Sequence, residues 1–205
     1  ELVFLDITAT VENRKTLIEL VKKIAAEINI PFTVGGGINT VEDVSNLIKA
    51  GADKVSINSS AVKRPTLIKE LAAVFGSQCI VVAIDTKFEN EEWKVFTHGG
   101  RTPTELKTID WAKQVETLGA GEILLTSMNN DGTKNGFALD ITKIISEEVN
   151  IPLIASGGAG SKLHFKEVFE QTSATGGLAA SIFHYGEIPI PALKEYLKKE
   201  KIPIR

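Results

Sequence analysis

INIPFTVGGGI, at residues 28–38, and VNIPLIASGGAG, at residues 149–160, are two versions of one segment. They stand 121 positions apart, an offset that aligns Gly36–Gly37 with Gly157–Gly158. In each copy a short apolar run ends in glycines, which is the pattern of a buried strand followed by a tight turn. The repetition predicts a chain built from two similar halves.

The same offset extends to the preceding strands, where Glu1 falls on Glu122 and Asp6 falls on Ser127. With two extra residues, DKVSIN (53–58) aligns with GGLAAS (176–181). Each half therefore supplies its strands in the same order.

The second half holds one unit that the first half lacks. CIVVAID (79–85) and a helix precede Glu122, and nothing in the sequence stands in the equivalent place before Glu1. The repeat therefore leads us to expect a further strand and helix upstream of Glu1, with a functional residue at the end of that strand. Four apolar residues, Leu2–Leu5, open the sequence and are expected to form a strand buried on both faces.

Strand-like and helix-like segments alternate along the chain. The predicted strands are 2–6, 30–38, 53–58, 79–85, 122–127, 151–160 and 177–181, and residues 91–98 resemble half of a small hairpin. The predicted helices are 16–28, 40–51, 65–76, 105–121, 138–149, 161–172 and 191–200, with Asn39 or Thr40 as the cap of the second.

Strict alternation of apolar strands and helices is typical of a parallel sheet covered by helices. Seven units are visible and the repeat requires eight, which makes the (βα)8 TIM barrel the expected fold, because that fold commonly takes about 250 residues. We interpret residues 1–205 as one incomplete barrel domain of α/β class, with its first unit absent.

Composition excludes several classes of protein. A net charge of −3 argues against a nucleic-acid partner, and no apolar run reaches the roughly 18 residues of a membrane span. Cys79 is the single cysteine, which excludes an internal disulfide framework and a cysteine metal site. This pattern favours a reducing, cytoplasmic location.

The strand ends of such a barrel carry its chemistry. Glycines at strand ends allow backbone N–H groups to approach an anion, so the two glycine clusters predict two phosphate sites on opposite sides of the mouth. The alternative is that these glycines only form tight turns. Two glycine clusters at equivalent positions favour phosphate binding more strongly than a single cluster would.

Asp85 ends an apolar strand, where burial is expected to raise its pKa and to suit it for general acid–base catalysis. A structural role in capping the next loop is the alternative. Asp131, in NNDGT, could contact a substrate or form a turn. The three histidines show no metal spacing and no Walker A or GxGxxG motif is present, so neither a metal nor a nucleotide cofactor is expected.

Charges also gather at the opposite end of the predicted barrel. Glu1, Lys54 and Glu122 each open a strand and should face the N-terminal opening. Partly buried charges are costly unless paired, so these three are expected to form ion pairs. From physics alone, plugging the bottom of the barrel is the better explanation of this cluster.

Several stretches together resemble the cyclase subunit of imidazole glycerol phosphate synthase, from histidine biosynthesis. They cover essentially the whole chain and are ELVFLDITAT, IPFTVGGGI, GADKVSIN, VVAID, GAGEILLTSMNNDGTKNG, IASGGAG and LAASIFH. The sister isomerase of the pathway shares the half-barrel plan and the GGG and DGT motifs. It typically has an aspartate where this chain has Ser127, which favours the cyclase.

The resemblance implies a (βα)8 barrel without a cofactor that receives ammonia from a glutaminase partner. The bis-phosphate substrate, a phosphoribulosyl-formimino-aminoimidazole carboxamide ribotide, would yield imidazole glycerol phosphate and aminoimidazole carboxamide ribotide. Asp85 matches one of two catalytic aspartates, and the other is expected upstream of Glu1. A direct substrate test would separate this function from that of the isomerase.

The resemblance also implies roles for individual residues. Gly37, Asn58 and Ser59 match positions that hold one phosphate, whereas Gly132, Gly158, Ala180 and Ser181 match positions near the other. Asp131 matches a substrate-contacting aspartate. Glu1, Lys54 and Glu122 match an ammonia gate, and Asp53 matches a residue at the glutaminase interface.

Two departures from the family pattern stand out. EQTSATGGLAAS (170–181) replaces the usual run before the last strand and is one residue longer, and Gly99 stands where the family frequently has a serine near the reacting group. A catalytically impaired fragment is the alternative to an active cyclase. On that view, the 205-residue chain alone turns over poorly and is either oligomeric or unstable, because an open barrel exposes two strand edges.

Overall fold

The computed structural model describes residues 1–6 and 18–204. Its strands, numbered along the chain, are β1 (Leu2–Leu5), β2 (Phe32–Gly35), β3 (Lys54–Ile57), β4 (Ile80–Glu89), β5 (Glu92–Thr97), β6 (Thr102–Lys107), β7 (Glu122–Ser127), β8 (Leu153–Ser156) and β9 (Gly176–Leu178).

Helices separate most of these strands. They are α1 (Ile18–Glu27), α2 (Val41–Lys49), α3 (Ser59–Lys63), α4 (Thr66–Phe75), α5 (Thr108–Thr117), α6 (Leu139–Glu148), α7 (Lys162–Gln171), α8 (Ser181–His184) and α9 (Ile190–Lys199), and a 3₁₀ turn spans Ser77–Cys79. Residues 16 and 17, predicted to begin the first helix, lie outside the described residues. Thr40 caps α2 in a reciprocal capping box with Asp43, as one of the two predicted caps.

Seven strands form a parallel sheet in the order β1-β2-β3-β4-β7-β8-β9. Residues of both β1 and β9 line one cavity, so the sheet curls into an open barrel with helices outside it, and the predicted α/β barrel class is confirmed. Within residues 1–6 and 18–204, β1 pairs with β2 alone and β9 pairs with β8 alone.

The edge position of β1 makes one prediction wrong. Leu2 and Leu5 retain 37% and 39% of their accessible surface, so β1 is not buried on both faces. Among the described residues no strand lies on its outer side, and that side of the strand stays open.

Strand register confirms the repeat and corrects one detail of it. Leu2 pairs with Phe32 as Ile123 pairs with Leu153, which reproduces the offset of 121 in both strands. In the third strand of each half, Lys54 is equivalent to Gly176, because Thr33 pairs with Lys54 where Ile154 pairs with Gly176. The second half therefore contains one extra residue at this point, not two.

The hairpin is larger than the sequence predicted. β4 continues past Asp85 to Glu89 and pairs antiparallel with β5, which in turn pairs with β6. Residues 105–107, predicted to open a helix, belong to β6, and α5 begins at Thr108. Pairing with β5 outweighs the helix propensity of these three residues, as tertiary contacts commonly do.

The helices cover the sheet with apolar stripes. Val44 and Leu47 of α2 and Leu67 and Leu71 of α4 are fully or almost fully buried, and Trp111 of α5 is the largest fully buried side chain among the described residues. Burial of such side chains contributes about 1.5–3 kcal/mol each and holds the helices against the strands. The rigid sheet then fixes where each strand ends.

The glycine turns require glycine for a steric reason that both halves share. Gly36 has φ +102°, and a Cβ there would lie 2.2 Å from the Asp6 carbonyl oxygen. Gly157 has φ +88°, and its Cβ would lie 2.7 Å from the carbonyl oxygen of Ser127, the equivalent residue. The strand before each turn therefore packs directly on the glycine backbone.

We expect Gly36→Ala to destabilise the protein by roughly 3 kcal/mol or more, because left-handed strain and a backbone clash add together. Gly186→Ala is the matched control, since Gly186 has φ +69° but nothing within 4 Å of its Cβ position, and strain alone should cost about 1–2 kcal/mol. Urea unfolding of both variants measures the difference. Equal losses would contradict the close approach at Asp6.

Candidate active site

The carboxyl ends of the parallel strands surround the mouth of one large cavity. Its volume of about 1720 Å³ exceeds the roughly 300–1000 Å³ usual for a ligand pocket, because it continues along the interval between β1 and β9. Glu1 and Glu122 line it at one end of the barrel, and Asp85 and Asp131 line it at the other. The same cavity therefore touches residues at both ends of the barrel.

Asp85 lies where β4 changes partners. It is paired with Thr126 in the parallel sheet and with Phe96 in the antiparallel hairpin. The sequence predicted that the strand ends at Asp85, but β4 continues to Glu89. The Asp85 carboxylate nevertheless lines the cavity. This position inside a doubly paired strand fixes the backbone of Asp85 on both sides.

The surroundings of Asp85 raise its pKa to about 6. Burial is the main cause, because it disfavours the charged carboxylate, and the negative charge of Asp131 acts in the same direction. Hydrogen bonds from the Asn58 side chain and from the Gly100 backbone N–H lower the pKa and offset part of this effect. The predicted rise is confirmed, and the group can take up or release a proton near neutral pH.

Asn58 orients this carboxylate. Its Nδ2 donates to Asp85 Oδ2 over 3.0 Å, and a reversed amide would instead place an oxygen against the carboxylate. Asn58 Oδ1 is buried and has no hydrogen-bond partner among residues 1–6 and 18–204. The described residues therefore leave one buried acceptor without a partner next to Asp85.

The turn between β5 and β6 closes over this region. The His98 backbone N–H donates to Ser59 Oγ over 2.9 Å, and the Gly100 N–H donates to the Asp85 carboxylate. Sequence reasoning reached this turn only through Gly99, which lines the cavity, although HGGR directly after a strand was a visible signal of a special backbone. It missed Arg101 and Met128, which also line the cavity.

The loop after β7 brings Asp131 to the cavity. Asn130 fixes the loop by accepting from Ser127 Oγ over 2.8 Å and donating to the Gly136 carbonyl over 2.9 Å. The Asp131 N–H donates to the Ser127 carbonyl. Asp131 itself stays exposed and faces the same mouth as Asp85, so its two interpretations, loop former and ligand contact, are compatible.

The two halves place equivalent serines on the cavity wall. The corrected register sets Asn58 and Ser59 against Ala180 and Ser181, and all four line the cavity. Ser59 begins α3 and Ser181 begins α8. Two similar polar positions therefore face one space from opposite halves of the sheet.

The glycines of the predicted phosphate sites divide into two groups. Gly37, with φ +70°, lines the cavity. Gly158 does not line it, and a Cβ there would lie 2.0 Å from the Gly136 carbonyl oxygen, so Gly158 packs against the loop after β7. Gly132 also lies away from the cavity wall, in open surroundings.

The predicted ion pairs at the opposite end are present. Lys54 Nζ lies 2.7 Å from Glu122 Oε2 and 3.4 Å from Glu1 Oε2. Burial lowers the pKa of Lys54, but hydrogen bonds and charge from Glu122 and Glu1 outweigh it, so the pKa lies above its usual value. Asp53, which directly precedes Lys54, is exposed to solvent. Its Oδ2 accepts a hydrogen bond from the Phe32 N–H over 2.8 Å.

The described residues form neither a metal site nor a membrane-spanning helix. No group of three or more His, Cys, Asp or Glu residues within 1–6 and 18–204 is arranged to hold a metal ion. Over the same residues, no helix has the length and apolar character needed to cross a membrane.

Comparison with known proteins gives a consistent result. A family described as histidine biosynthesis protein matches residues 1–189. Imidazole glycerol phosphate synthase subunit HisF of Hydrogenobaculum sp. (strain Y04AAS1) is 60% identical over 206 residues, which cover 100% of this chain and 82% of that protein. The HisF subunits of Flavobacterium psychrophilum and Cytophaga hutchinsonii are 62% and 60% identical, with the same coverage.

The raised pKa predicts how Asp85→Asn changes stability with pH. The folded protein binds the Asp85 proton more tightly than the unfolded chain, so this residue's contribution to stability falls as pH rises from about 4 to about 6. We expect Asp85→Asn to be more stable than the unsubstituted chain at pH 8, by roughly 1–3 kcal/mol, with the advantage shrinking as pH falls through 6 towards 4.

Urea unfolding at pH 8, 6 and 4.5 measures this effect. Asp140→Asn, at an exposed aspartate in the first turn of α6, is the control for the loss of one carboxylate. A stability difference for Asp85→Asn that did not change with pH would contradict the account of this site.

Lys54→Met should cost about 1–3 kcal/mol, since it removes the cation that lies 2.7 Å from the partly buried carboxylate of Glu122. The double variant Lys54→Met/Glu122→Gln should recover part of the loss. Lys22→Met, at an exposed pair with Glu19 on α1, should leave the free energy of unfolding nearly unchanged. Equal effects of Lys54→Met and Lys22→Met would show that the cluster does not stabilise the fold.

Proposed function

Because this chain belongs to the histidine biosynthesis protein family, and to the HisF subunits within it, we propose that it is a cyclase subunit of imidazole glycerol phosphate synthase. Its reaction joins ammonia to phosphoribulosyl-formimino-aminoimidazole carboxamide ribotide. The products are imidazole glycerol phosphate, aminoimidazole carboxamide ribotide and one molecule of water. The observation that carries the proposal is Asp85, a desolvated carboxylate oriented by two donors at the carboxyl ends of the strands.

Asp85 acts as a general acid and base in this proposal. With a pKa of about 6 it is mainly ionised at neutral pH, so it accepts a proton from the ammonia nitrogen as that nitrogen attacks. The protonated carboxyl then donates to the nitrogen of the departing aminoimidazole. The N–H donors of Asn58 and Gly100 hold the carboxylate in place through both steps.

Binding of the substrate's two phosphates is assigned to the two halves of the barrel. Gly37, Asn58 and Ser59 would hold one phosphate, and Ala180 and Ser181 the other, with Gly158 and Gly132 shaping the turns nearby. The equivalent placement of Ser59 and Ser181 on one cavity supports this assignment. Asp131, exposed at the same mouth, would contact the part of the substrate between the phosphates.

Ammonia would come from a glutaminase subunit at the opposite end of the barrel. The cavity reaches Glu1 and Glu122 at that end, and with Lys54 they form an ion-paired cluster through which a small neutral molecule would have to pass. Exposed Asp53 would lie in the interface with the glutaminase. We place the complex in the cytoplasm, in keeping with the single cysteine of the chain.

Asp85→Asn should lower the ammonia-dependent rate at least about 100-fold, because general acid–base catalysis contributes roughly 10²–10⁴. Substrate affinity should change little, since the phosphates bind elsewhere. The rate is followed by absorbance with saturating ammonia and no glutaminase, and affinity is measured separately without ammonia.

Asp140→Asn is the control for the removal of a carboxylate outside the cavity. An Asp85→Asn variant as fast as the unsubstituted chain would refute the role of Asp85. An unsubstituted chain that neither bound nor converted the substrate would refute the proposed function.

A further inference from the structure

The turn between β5 and β6 has an unusual backbone. His98, Gly99 and Gly100 have φ of +54°, +64° and +77°, so three successive residues are left-handed and one of them is not glycine. Such backbone is costly and persists only where surrounding contacts hold it. The Arg101 N–H closes the turn by donating to the Thr97 carbonyl over 3.0 Å.

Two contacts attach this turn to the candidate site. Its first N–H, from His98, donates to Ser59 Oγ, and its third, from Gly100, donates to the Asp85 carboxylate. Ser59 is a proposed phosphate ligand and Asp85 is the proposed acid–base group. The next residue, Arg101, is therefore held beside both of them.

The Arg101 side chain has no other assignment in the fold. It is exposed and lines the cavity, and its guanidinium forms no hydrogen bond or ion pair with residues 1–6 or 18–204. By contrast, Arg64, on the surface after α3, pairs with Glu70 over 2.9 Å. An arginine without a partner at the edge of a cavity is available to a ligand.

The negative charge of the cavity mouth makes the availability of the Arg101 guanidinium important. Asp6, Asp85 and Asp131 are carboxylates that line it, and among the described lining residues only Arg101 and Lys194 are arginine or lysine. Lys194 lies on α9, whereas Arg101 lies on the turn bonded to Ser59. A phosphorylated ligand at this mouth needs a cation, because it otherwise adds negative charge to a set of carboxylates.

We propose that Arg101 is a substrate-binding residue whose guanidinium binds the phosphate held at Ser59. The planar fork of arginine matches two oxygens of a phosphate group, and such charge-assisted pairs are among the stronger hydrogen bonds in proteins. The strained turn positions this fork and the Gly100 N–H together. The choice of a bis-phosphorylated ligand rests on the proposed function.

Titration calorimetry with Arg101→Gln tests the proposal, using the proposed ribulosyl substrate without ammonia, so that it is not consumed, and inorganic phosphate as a second probe. Affinity for the substrate should fall roughly 10- to 100-fold. Arg101→Lys should recover part of the loss, because lysine keeps the charge without the fork. Circular dichroism confirms that each variant is folded.

Lys107→Gln is the matched control. It removes one positive charge from the same hairpin, at an exposed lysine that pairs with Glu92 and does not line the cavity. It should bind both probes like the unsubstituted chain. Equal weakening by Arg101→Gln and Lys107→Gln would show an effect of net charge and would overturn the proposal.

Double variants identify which phosphate Arg101 contacts. Arg101→Gln and Ser59→Ala should together cost less than the sum of their separate losses, because they act on one phosphate. Arg101→Gln and Ser181→Ala should be additive. Coupling to Ser181 instead of Ser59, or unchanged affinity in Arg101→Gln, would overturn the proposal.

The binding role of Arg101 and the proposed reaction can fail independently. Arg101-dependent binding of the substrate by a chain that shows no ammonia-dependent turnover would support the inference and refute the reaction. Failure of the unsubstituted chain to bind either the substrate or inorganic phosphate would overturn the inference.

Discussion

The burial of one carboxylate, Asp85, is the constraint on which the site depends. Its strand is paired on both sides, which holds the backbone in place, and the half-buried side chain lies beside the cavity with two N–H donors. Asn58 and Gly100 reach it from different parts of the chain, one before α3 and one in the hairpin turn. Burial raises the pKa while these donors limit the rise, and the balance is a group that exchanges protons near pH 6.

The two-fold repeat explains how one sheet can hold two similar binding positions and a single chemical centre. Equivalent glycines, Gly36 and Gly157, approach equivalent carbonyl groups, so the backbone frame is the same in both halves. The side chains on that frame differ. Lys54 has Gly176 as its counterpart, so only the first half supplies the lysine, which pairs with one glutamate from each half, Glu1 and Glu122. A symmetric frame therefore supports an asymmetric site.

Much of the fold could be predicted from local sequence. Apolar runs, glycine stops and the Thr40 cap are short-range signals, and the elements they predict are present. The predicted size of the insertion in the second half was wrong by one residue, because sequence similarity fades before β9. Only the pairing of β8 with β9 shows the correct alignment. Residues 105–107 were assigned to a helix because their pairing with β5 is invisible to local propensity.

The site was predictable where a residue type and a strand end coincide, as at Asp85 and Ser59. It was not predictable where a contact joins distant segments. The bond between His98 and Ser59 spans 39 residues, and with the bond from Gly100 to Asp85 it shows that the hairpin turn belongs to the site. Arg101 was overlooked for the same reason, since an exposed arginine in a loop has no distinguishing local pattern.

The central claim is that Asp85 is held as a proton-exchanging carboxyl group, and its titration in the folded chain is the most direct test. Protein labelled with ¹³C at aspartate carboxyl groups is titrated by NMR, and the Asp85 signal is assigned by its absence in Asp85→Asn. We expect the Asp85 carboxyl group to titrate with a midpoint near pH 6. A midpoint near the ordinary value of about 3.9 would contradict it, because the carboxylate would then be solvated and would lack the property on which the mechanism depends.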